Sequence, residues 1–244
     1  NNALIMAGVN DATKLLSQVQ AKNLFDKLVN TDNMNANSLT GENGSIKIVS
    51  YGADGGTNIA GTMKNFGAGN TEITNSGSKG ITVSGTGLNS NGNTLFVNTN
   101  GSINVSGNIA NQNGTFSVDN KGDGILIAST GRLTNSNGDL LVSNTGKNGI
   151  NIENGAEILN KTDAVYITNT GAQGINVKGH VTGNGINIDN KNSDVVIGYN
   201  TGKDYLTSTG NVNIKVNNGN IYNYGTKANL IKADGNLVME VQDG

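Results

Sequence analysis

Carboxylates are the side chains of this chain that could most directly catalyse a reaction. Cleavage of a glycosidic bond needs two carboxylates close together, or a carboxylate beside a base or a cation. The nearest pairs in the sequence are Asp189 with Asp194 and Glu153 with Glu157. Neither pair recurs at an equivalent position of the repeat described below. We interpret these carboxylates as solvated surface charges and predict no catalytic residue and no enzymatic activity.

Other reactive side chains are scarce. The single arginine, Arg132, and the single histidine, His180, lie far apart in the sequence, and there is no cysteine. His180 is expected at the surface in a turn. The segments GADGG (52–56) and KGDGI (121–125) are isolated, so they lack the tandem period of a calcium-binding roll and the Lys-Ser/Thr of a phosphate loop. The sequence therefore predicts neither a metal site nor a cofactor.

Tyrosines cluster near the C-terminal end, at Tyr199, Tyr205, Tyr222 and Tyr224. An exposed tyrosine can stack on a sugar ring or anchor a protein interface. These four residues are the predicted contacts for a glycan or a protein partner. The alternative is that they fill the wider corners of irregular repeats.

The composition excludes several classes of protein. Hydrophobic residues make up 34% of the 244 residues, aromatic residues 4% and charged residues 14%, with no proline and a net charge of −2. A core of large rings is therefore not expected. The charge provides no basic surface for nucleic acid, and no apolar run approaches the roughly 20 residues of a membrane-spanning helix. Disorder is disfavoured because it usually accompanies high charge and proline.

The N-terminal part differs from the rest. Residues 3–7 form a short apolar run that predicts a strand. Residues 11–30 carry apolar side chains at helical spacing, with Asp11 as a plausible N-cap, and predict one amphipathic helix. Residues 31–40 are expected to be a polar connector. We assign residues 1–40 to an N-terminal strand with a helical insertion or cap, and residues 41–244 to a repeat domain.

The repeat domain consists of short apolar strands separated by Asn/Gly corners. One leading strand recurs every 21 to 26 residues, as in GNTEITN (69–75) and GDLLVSN (138–144). A second strand such as GINIE (149–153) follows, and then a third apolar position, first at Leu88. The predicted inward-facing residues are Ile73, Val97, Val118, Val142, Ile152, Ile167, Ile188 and Ile214.

Three short strands per repeat without intervening helices predict a β-solenoid. Each coil would pair its backbone with the coils on either side, about 4.8 Å away. Glycine and asparagine suit the corners because both tolerate positive φ. Stacked asparagines can also hydrogen-bond along the solenoid axis. The expected fold is all-β, a parallel β-helix of about 9–10 coils plus one short N-terminal helix.

The blocks GSIKIVSYGADGGTNIAGTMKN and LTNSNGDLLVSNTGKNGINIENGAEILNKT resemble the filamentous-haemagglutinin type of bacterial surface adhesin. The resemblance covers about residues 41–244. It implies a right-handed parallel β-helix, secretion through a dedicated outer-membrane partner, and an extracellular location at the bacterial surface. The helix expected at 11–30 departs from a pure shaft repeat.

The sequence thus favours an adhesive segment of a secreted surface fibre that binds a glycan or protein on a host or neighbouring cell. One alternative is a carbohydrate-active β-helix that binds or cleaves polysaccharide. Another is a self-associating fibre of a biofilm matrix.

Overall fold

The chain folds into a parallel β-solenoid. The computed structural model describes residues 33–41, 45–198, 205–224 and 230–243, and this part of the chain contains strands and corners but no helix. The described coils make about eight turns, fewer than the 9–10 predicted. The helix predicted at 11–30 and the strand predicted at 3–7 lie outside the described residues.

Each coil contributes one strand to each of three faces. The leading face is a nine-stranded parallel sheet, in which each strand pairs with the equivalent strand of the coils before and after it. Its strands are β2 (Ile46–Ser50), β4 (Thr71–Asn75), β7 (Thr94–Asn98), β10 (Phe116–Asn120), β13 (Leu140–Asn144), β16 (Val165–Asn169), β19 (Ile186–Asn190), β22 (Val212–Asn217) and β25 (Leu237–Gln242).

The other two faces belong to one sheet of 16 strands. The second face holds β5 (Gly80–Val83), β8 (Ile103–Val105), β11 (Ile125–Ile127), β14 (Ile150–Ile152), β17 (Ile175–Val177), β20 (Val195–Ile197) and β23 (Ile221–Asn223). The third face holds β6 (Thr86–Asn89), β9 (Asn108–Asn111), β12 (Arg132–Asn135), β15 (Glu157–Asn160), β18 (His180–Gly183), β21 (Leu206–Ser208) and β24 (Ile231–Ala233).

Two long strands join the second and third faces at the N-terminal end. Strand β3 (Gly56–Asn65) pairs with both β5 and β6, and β1 (Asn33–Gly41) pairs in parallel with β3. The segment predicted to be a polar connector therefore belongs to the sheet from Asn33 onwards. The predicted domain boundary at residue 41 falls at the end of this strand.

In the strands of the central coils, from β4 to β22, alternate residues point into the solenoid, where they stack on the equivalent residues of neighbouring coils. Phe96 and Phe116 pack edge to face with their ring centroids 5.9 Å apart. Each buried aliphatic side chain stabilises the fold by about 1.5–3 kcal/mol. Of the predicted inward residues, those with at most 1% exposure are Ile73, Val118, Val142, Ile152, Ile167, Ile188 and Ile214.

The prediction for Val97 is wrong. Phe96, which is fully buried, pairs with Ile73 and Val118, and Val97 lies half-buried on the outer surface. The three consecutive apolar residues of β7 hide the alternation of the strand. The inward position also lies one residue earlier than predicted at Leu88. Leu88 faces outwards, and Gly87 takes the inward position opposite Ile109.

Buried asparagines fix this register along the leading face. Each side-chain amide donates from Nδ2 to Oδ1 of the asparagine in the next coil, at 2.7–2.8 Å. The same amides bind corner carbonyls, as Asn144 does with Gly146 at 3.1 Å. We call this stack the asparagine ladder, and its members are Asn75, Asn98, Asn120, Asn144, Asn169 and Asn190. A shorter stack, Asn89 to Asn111 to Asn135, runs along the third face.

The corners pack too closely for side chains at several glycines. Gly80 has φ +70°, and a Cβ there would lie 1.9 Å from the carbonyl oxygen of Ser102 in the next coil. Glycine is therefore required by both the backbone conformation and the close stacking of coils.

The last leading strand differs from the first in its exposure. Ile46 and Ile48 of β2 are fully buried, whereas Leu237, Met239 and Val241 of β25 are 47–48% exposed. The inward side of β25 thus presents apolar surface.

Candidate functional site

The second face carries a file of outward side chains, one from each coil, in continuous register. In β8, β11, β14, β17 and β20 the central residue points outwards, because the residues on either side of it are buried. Tyr222 takes the equivalent position in β23 and is 38% exposed. The strand pairing places these residues directly above one another. Thr82 of β5 precedes Asn104 in this register, and from Asn104 onwards the file reads Asn104, Leu126, Asn151, Asn176, Val196 and Tyr222.

Four members of this file lie in a surface groove of about 320 Å³, which we call the amide groove, namely Asn104, Leu126, Asn151 and Asn176. Its edge is formed by the corner residues Ser102, Asn148 and Gln173. Glycines precede β11, β14 and β17, and because they have no side chains, backbone lines the groove there. The complete lining is Ser102, Asn104, Gly124, Ile125, Leu126, Asn148, Gly149, Ile150, Asn151, Gln173, Gly174 and Asn176.

Four amide side chains in the groove have no hydrogen-bond partner within the described part of the chain. They are those of Asn104, Asn148, Gln173 and Asn176. Most asparagines of this protein, by contrast, hydrogen-bond to a neighbouring coil or to a corner. The groove therefore concentrates unused donors and acceptors on one outward surface.

The fifth amide, Asn151, is held in place. Its Nδ2 donates to Glu153 Oε1 at 2.6 Å. A carboxylate only accepts hydrogen bonds, so this contact fixes which end of the amide carries the NH₂ group. Asn151 Oδ1 is buried and has no partner.

Charges flank the groove but do not line it. No lining residue is ionisable. Lys147 Nζ lies 3.8 Å from Asp123 Oδ1 on one border, and Lys178 Nζ lies 3.9 Å from Glu153 Oε1 on the other. The first pair is solvent-exposed and the second is half-buried, and both are long enough to contribute little stability. Because each pair joins opposite charges, the two pairs add no net charge at the borders of the groove. The groove is suited to hydrogen bonding rather than to proton transfer.

The predicted tyrosine contacts separate into three groups. Tyr222 and Tyr224 are 38% and 58% exposed, and their rings stack with centroids 5.8 Å apart. We call them the tyrosine pair. Tyr205 is 1% exposed and stacks on His180 at 6.4 Å, so it fills the interior instead of offering a contact surface. Tyr199 lies outside the described residues.

The structure also assembles a charged file that the sequence did not reveal. On the third face, Arg132 pairs in register with Glu157, and Glu157 pairs with His180. Arg132 Nε lies 3.2 Å from Glu157 Oε2, and Arg132 Nη1 donates to the Gly155 carbonyl at 2.6 Å. His180 lies on β18 rather than in a turn. The signal in the sequence was their shared position, since each directly precedes the inward residue of its strand.

The other predicted carboxylates remain separate from this file. Asp189 lies on the leading face, where it pairs in register with Lys215. Asp194 accepts a hydrogen bond from the backbone N–H of Asn220 at 2.8 Å. Among the described residues, no group of three or more His, Cys, Asp or Glu is placed to hold a metal ion.

One carboxyl group has a shifted pKa. The pKa of Asp163 is lowered by the hydrogen bond from the Thr162 hydroxyl at 2.6 Å, and further by the backbone N–H of Gly138 at 2.8 Å. This residue lies at a corner after the third face. Its shift reflects corner structure rather than a reactive site.

No known protein family, no curated protein and no solved structure matches this chain. No helix in the described part of the chain has the length and hydrophobicity needed to cross a membrane. Function must therefore be inferred from the solenoid and its surface.

Proposed function

We propose that this chain is the adhesive, rod-forming segment of a secreted bacterial surface fibre of the filamentous-haemagglutinin type. The observation that carries the proposal is the unbroken stack of coils, in which an outward side chain from each coil repeats at a fixed spacing. The nine strands of the leading face span about 38 Å at about 4.8 Å per step. Backbone pairing joins every step, and the asparagine ladder joins the five steps from Asn75 to Asn190, which suits a stiff projecting rod.

The proposed contact surface is the second face, with the amide groove and the tyrosine pair. Amides and tyrosines bind polar partners without changing them chemically. The partner is a glycan or protein on a host or neighbouring cell. The same proposal includes right-handed winding, an extracellular location and export by an outer-membrane partner, and it includes no role for nucleic acid.

A second candidate function is a carbohydrate-active enzyme, and the charged file favours it. Arg132, Glu157 and His180 supply a cation, a carboxylate and an imidazole on consecutive coils. Such groups can bind an acidic sugar and transfer a proton. We favour adhesion because Arg132 and Glu157 already neutralise one another at 3.2 Å.

Self-association into a matrix fibre is a third candidate. It is favoured by the apolar inward side of β25, where Leu237, Met239 and Val241 are about half exposed. Sedimentation velocity over a range of protein concentrations tests this candidate. A sedimentation coefficient that rises with concentration, and no longer does so in Met239→Glu, would support it.

Adhesion is tested with beads coated with the full chain. Beads are incubated with a panel of bacterial and epithelial cells and counted after washing, with albumin-coated beads as the reference. Attachment above the reference supports the proposal, and attachment equal to it on every cell type contradicts it. A reducing-sugar assay on neutral and acidic polysaccharides tests the enzyme. If the wild type releases reducing sugar and Glu157→Gln does not, the function is catalysis and not adhesion.

A further inference from the structure

The amide groove has the hydrogen-bonding pattern of a site for hydroxyl groups. Asn104, Asn148, Gln173 and Asn176 each offer an NH₂ donor and a carbonyl acceptor with no partner in the described chain. A sugar hydroxyl is both donor and acceptor, so one amide can bind one or two hydroxyls. Because the backbone fixes the spacing between coils, the distances between the strands that carry these amides are set before any ligand binds, and only the side-chain rotamers remain to be ordered.

Apolar surface lies within the same file. Leu126 is half-buried between Asn104 and Asn151, and Tyr222 stands two coils beyond Asn176 with Tyr224 stacked against it. A pyranose ring has an apolar face of C–H groups and a rim of hydroxyls, and tyrosine rings pack against such faces. Polar and apolar positions that share one line over several coils match a chain of sugar rings better than a single small ligand.

The charges at the borders disfavour an acidic ligand. Asp123 and Glu153 lie beside the groove together with their lysine partners, and Asp194 lies at the next corner along the same face. No lysine or arginine lines the groove itself. A sulfated or uronic-acid chain would find no unpaired cation there to offset the loss of its hydration.

We infer that the amide groove binds a neutral, linear oligosaccharide that lies lengthwise along the solenoid axis. The sugar chain runs from Asn104 towards the tyrosine pair. Three coil-to-coil steps separate Asn104 from Asn176 and two more reach Tyr222, a path of about 24 Å. This inference rests on the proposed adhesive function and specifies the partner of the same face.

The experiment measures binding of neutral oligosaccharides to the full chain by isothermal titration calorimetry. The probes are hexamers of β-1,4-glucose, α-1,4-glucose and β-1,4-N-acetylglucosamine, with a heparin hexasaccharide as the acidic comparison. Asn104→Ala and Asn176→Ala are each expected to weaken binding of the preferred neutral hexamer about fivefold, since one hydrogen bond contributes about 1 kcal/mol. The double variant should lose about 25-fold because the two sites are several coils apart.

Asn108→Ala is the matched control. Asn108 is an exposed, outward asparagine in the same coil as Asn104, but it lies on the third face, outside the groove. Its substitution should leave affinity unchanged. Tyr222→Ala should weaken the hexamer more than a trimer, because a trimer bound at Asn104 does not reach the tyrosine pair. Equal circular dichroism spectra of all variants show that the fold is retained.

The outcomes distinguish failure of this inference from failure of the proposed adhesive function. Binding of a neutral hexamer that the groove variants weaken and Asn108→Ala does not supports the inference. Binding of heparin alone, or neutral binding that is indifferent to Asn104 and Asn176, overturns it. Absence of oligosaccharide binding by a chain whose coated beads still attach to cells also overturns it, but leaves adhesion standing. Absence of bead attachment contradicts the proposed function itself.

Discussion

Replacement of Asn144 by alanine removes the middle of the asparagine ladder. Asn144 is fully buried. Its Oδ1 accepts from Asn120 at 2.8 Å, and its Nδ2 donates to Asn169 at 2.8 Å and to the Gly146 carbonyl at 3.1 Å. Alanine leaves the Asn120 amide and the Gly146 carbonyl without these partners, whereas Asn169 Oδ1 keeps its contact with the Gly171 N–H at 3.3 Å.

Two buried groups left unsatisfied cost about 1–3 kcal/mol each, so we expect a loss of about 4 kcal/mol in the free energy of unfolding. The measurement is equilibrium urea unfolding of the full chain, followed by far-ultraviolet circular dichroism. Each coil contacts only its neighbours, and a weakened central coil should also broaden the transition.

Asn187→Ala is the control for this experiment. Asn187 also bonds to a neighbouring coil, since its Oδ1 accepts from Asn213 Nδ2 at 3.0 Å, but it faces outwards and is half-buried. Water can replace this bond, so the expected loss is below about 1 kcal/mol. An Asn144→Ala variant no less stable than Asn187→Ala would refute the view that buried amides hold the coils together.

Three further tests address the register, the core and the carboxyl group with the lowered pKa. Phe96→Ala should cost about 3–5 kcal/mol and Val97→Ala less than about 1 kcal/mol in urea unfolding, and the reverse order would contradict the register. Ile152→Asp buries a charge among aliphatic side chains and should abolish cooperative thermal unfolding, whereas Asn176→Asp, on the outer surface, should retain it. Asp163 has a lowered pKa, so its stabilising effect is present above the ordinary value of 3.8 and disappears as the pH falls through the lowered pKa. The stability difference between the wild type and Asp163→Ala should therefore shrink only below about pH 4, and a nuclear magnetic resonance titration of this carboxyl group should have its midpoint below 3.8.

The repeat and the parallel solenoid could be predicted because strands and Asn/Gly corners alternate at nearly constant spacing. The register could not be read from apolar residues alone, since Val97 and Leu88 are apolar yet face outwards. The buried asparagines were the better guide. On both the leading and the third face, an inward residue lies two positions before the buried asparagine of its strand. Phe96 precedes Asn98 in this way, and Gly87 precedes Asn89.

The surface was harder to predict than the core, because a surface site on a solenoid joins residues from different coils. Arg132, Glu157 and His180 are 25 and 23 residues apart, within the spacing of the repeat, and each directly precedes the inward residue of its third-face strand. Their different side-chain types nevertheless hid the fact that they occupy equivalent positions on consecutive coils. The residues of the amide groove were not predicted to form one site for the same reason, since they also come from different coils. Tyr205 was predicted either to contact a partner or to fill an irregular coil, and its burial agrees with the second alternative.

Asparagine has two roles in this protein, stabilising the rod and offering amide groups to a ligand. Whether the side chain is buried or in contact with water determines its role. Inside the corners, an amide that bonds to the next coil satisfies groups that would otherwise be buried without partners, so the ladder stabilises the rod. On the second face, the same side chain loses little by remaining unpaired, because water hydrates it until a ligand arrives. The ladder and the groove also share a coil, since Asn144 binds the corner that leads to Asn148. The interior asparagines thus hold in place the corners from which the exterior ones project, and a rigid rod becomes a preorganised binding surface.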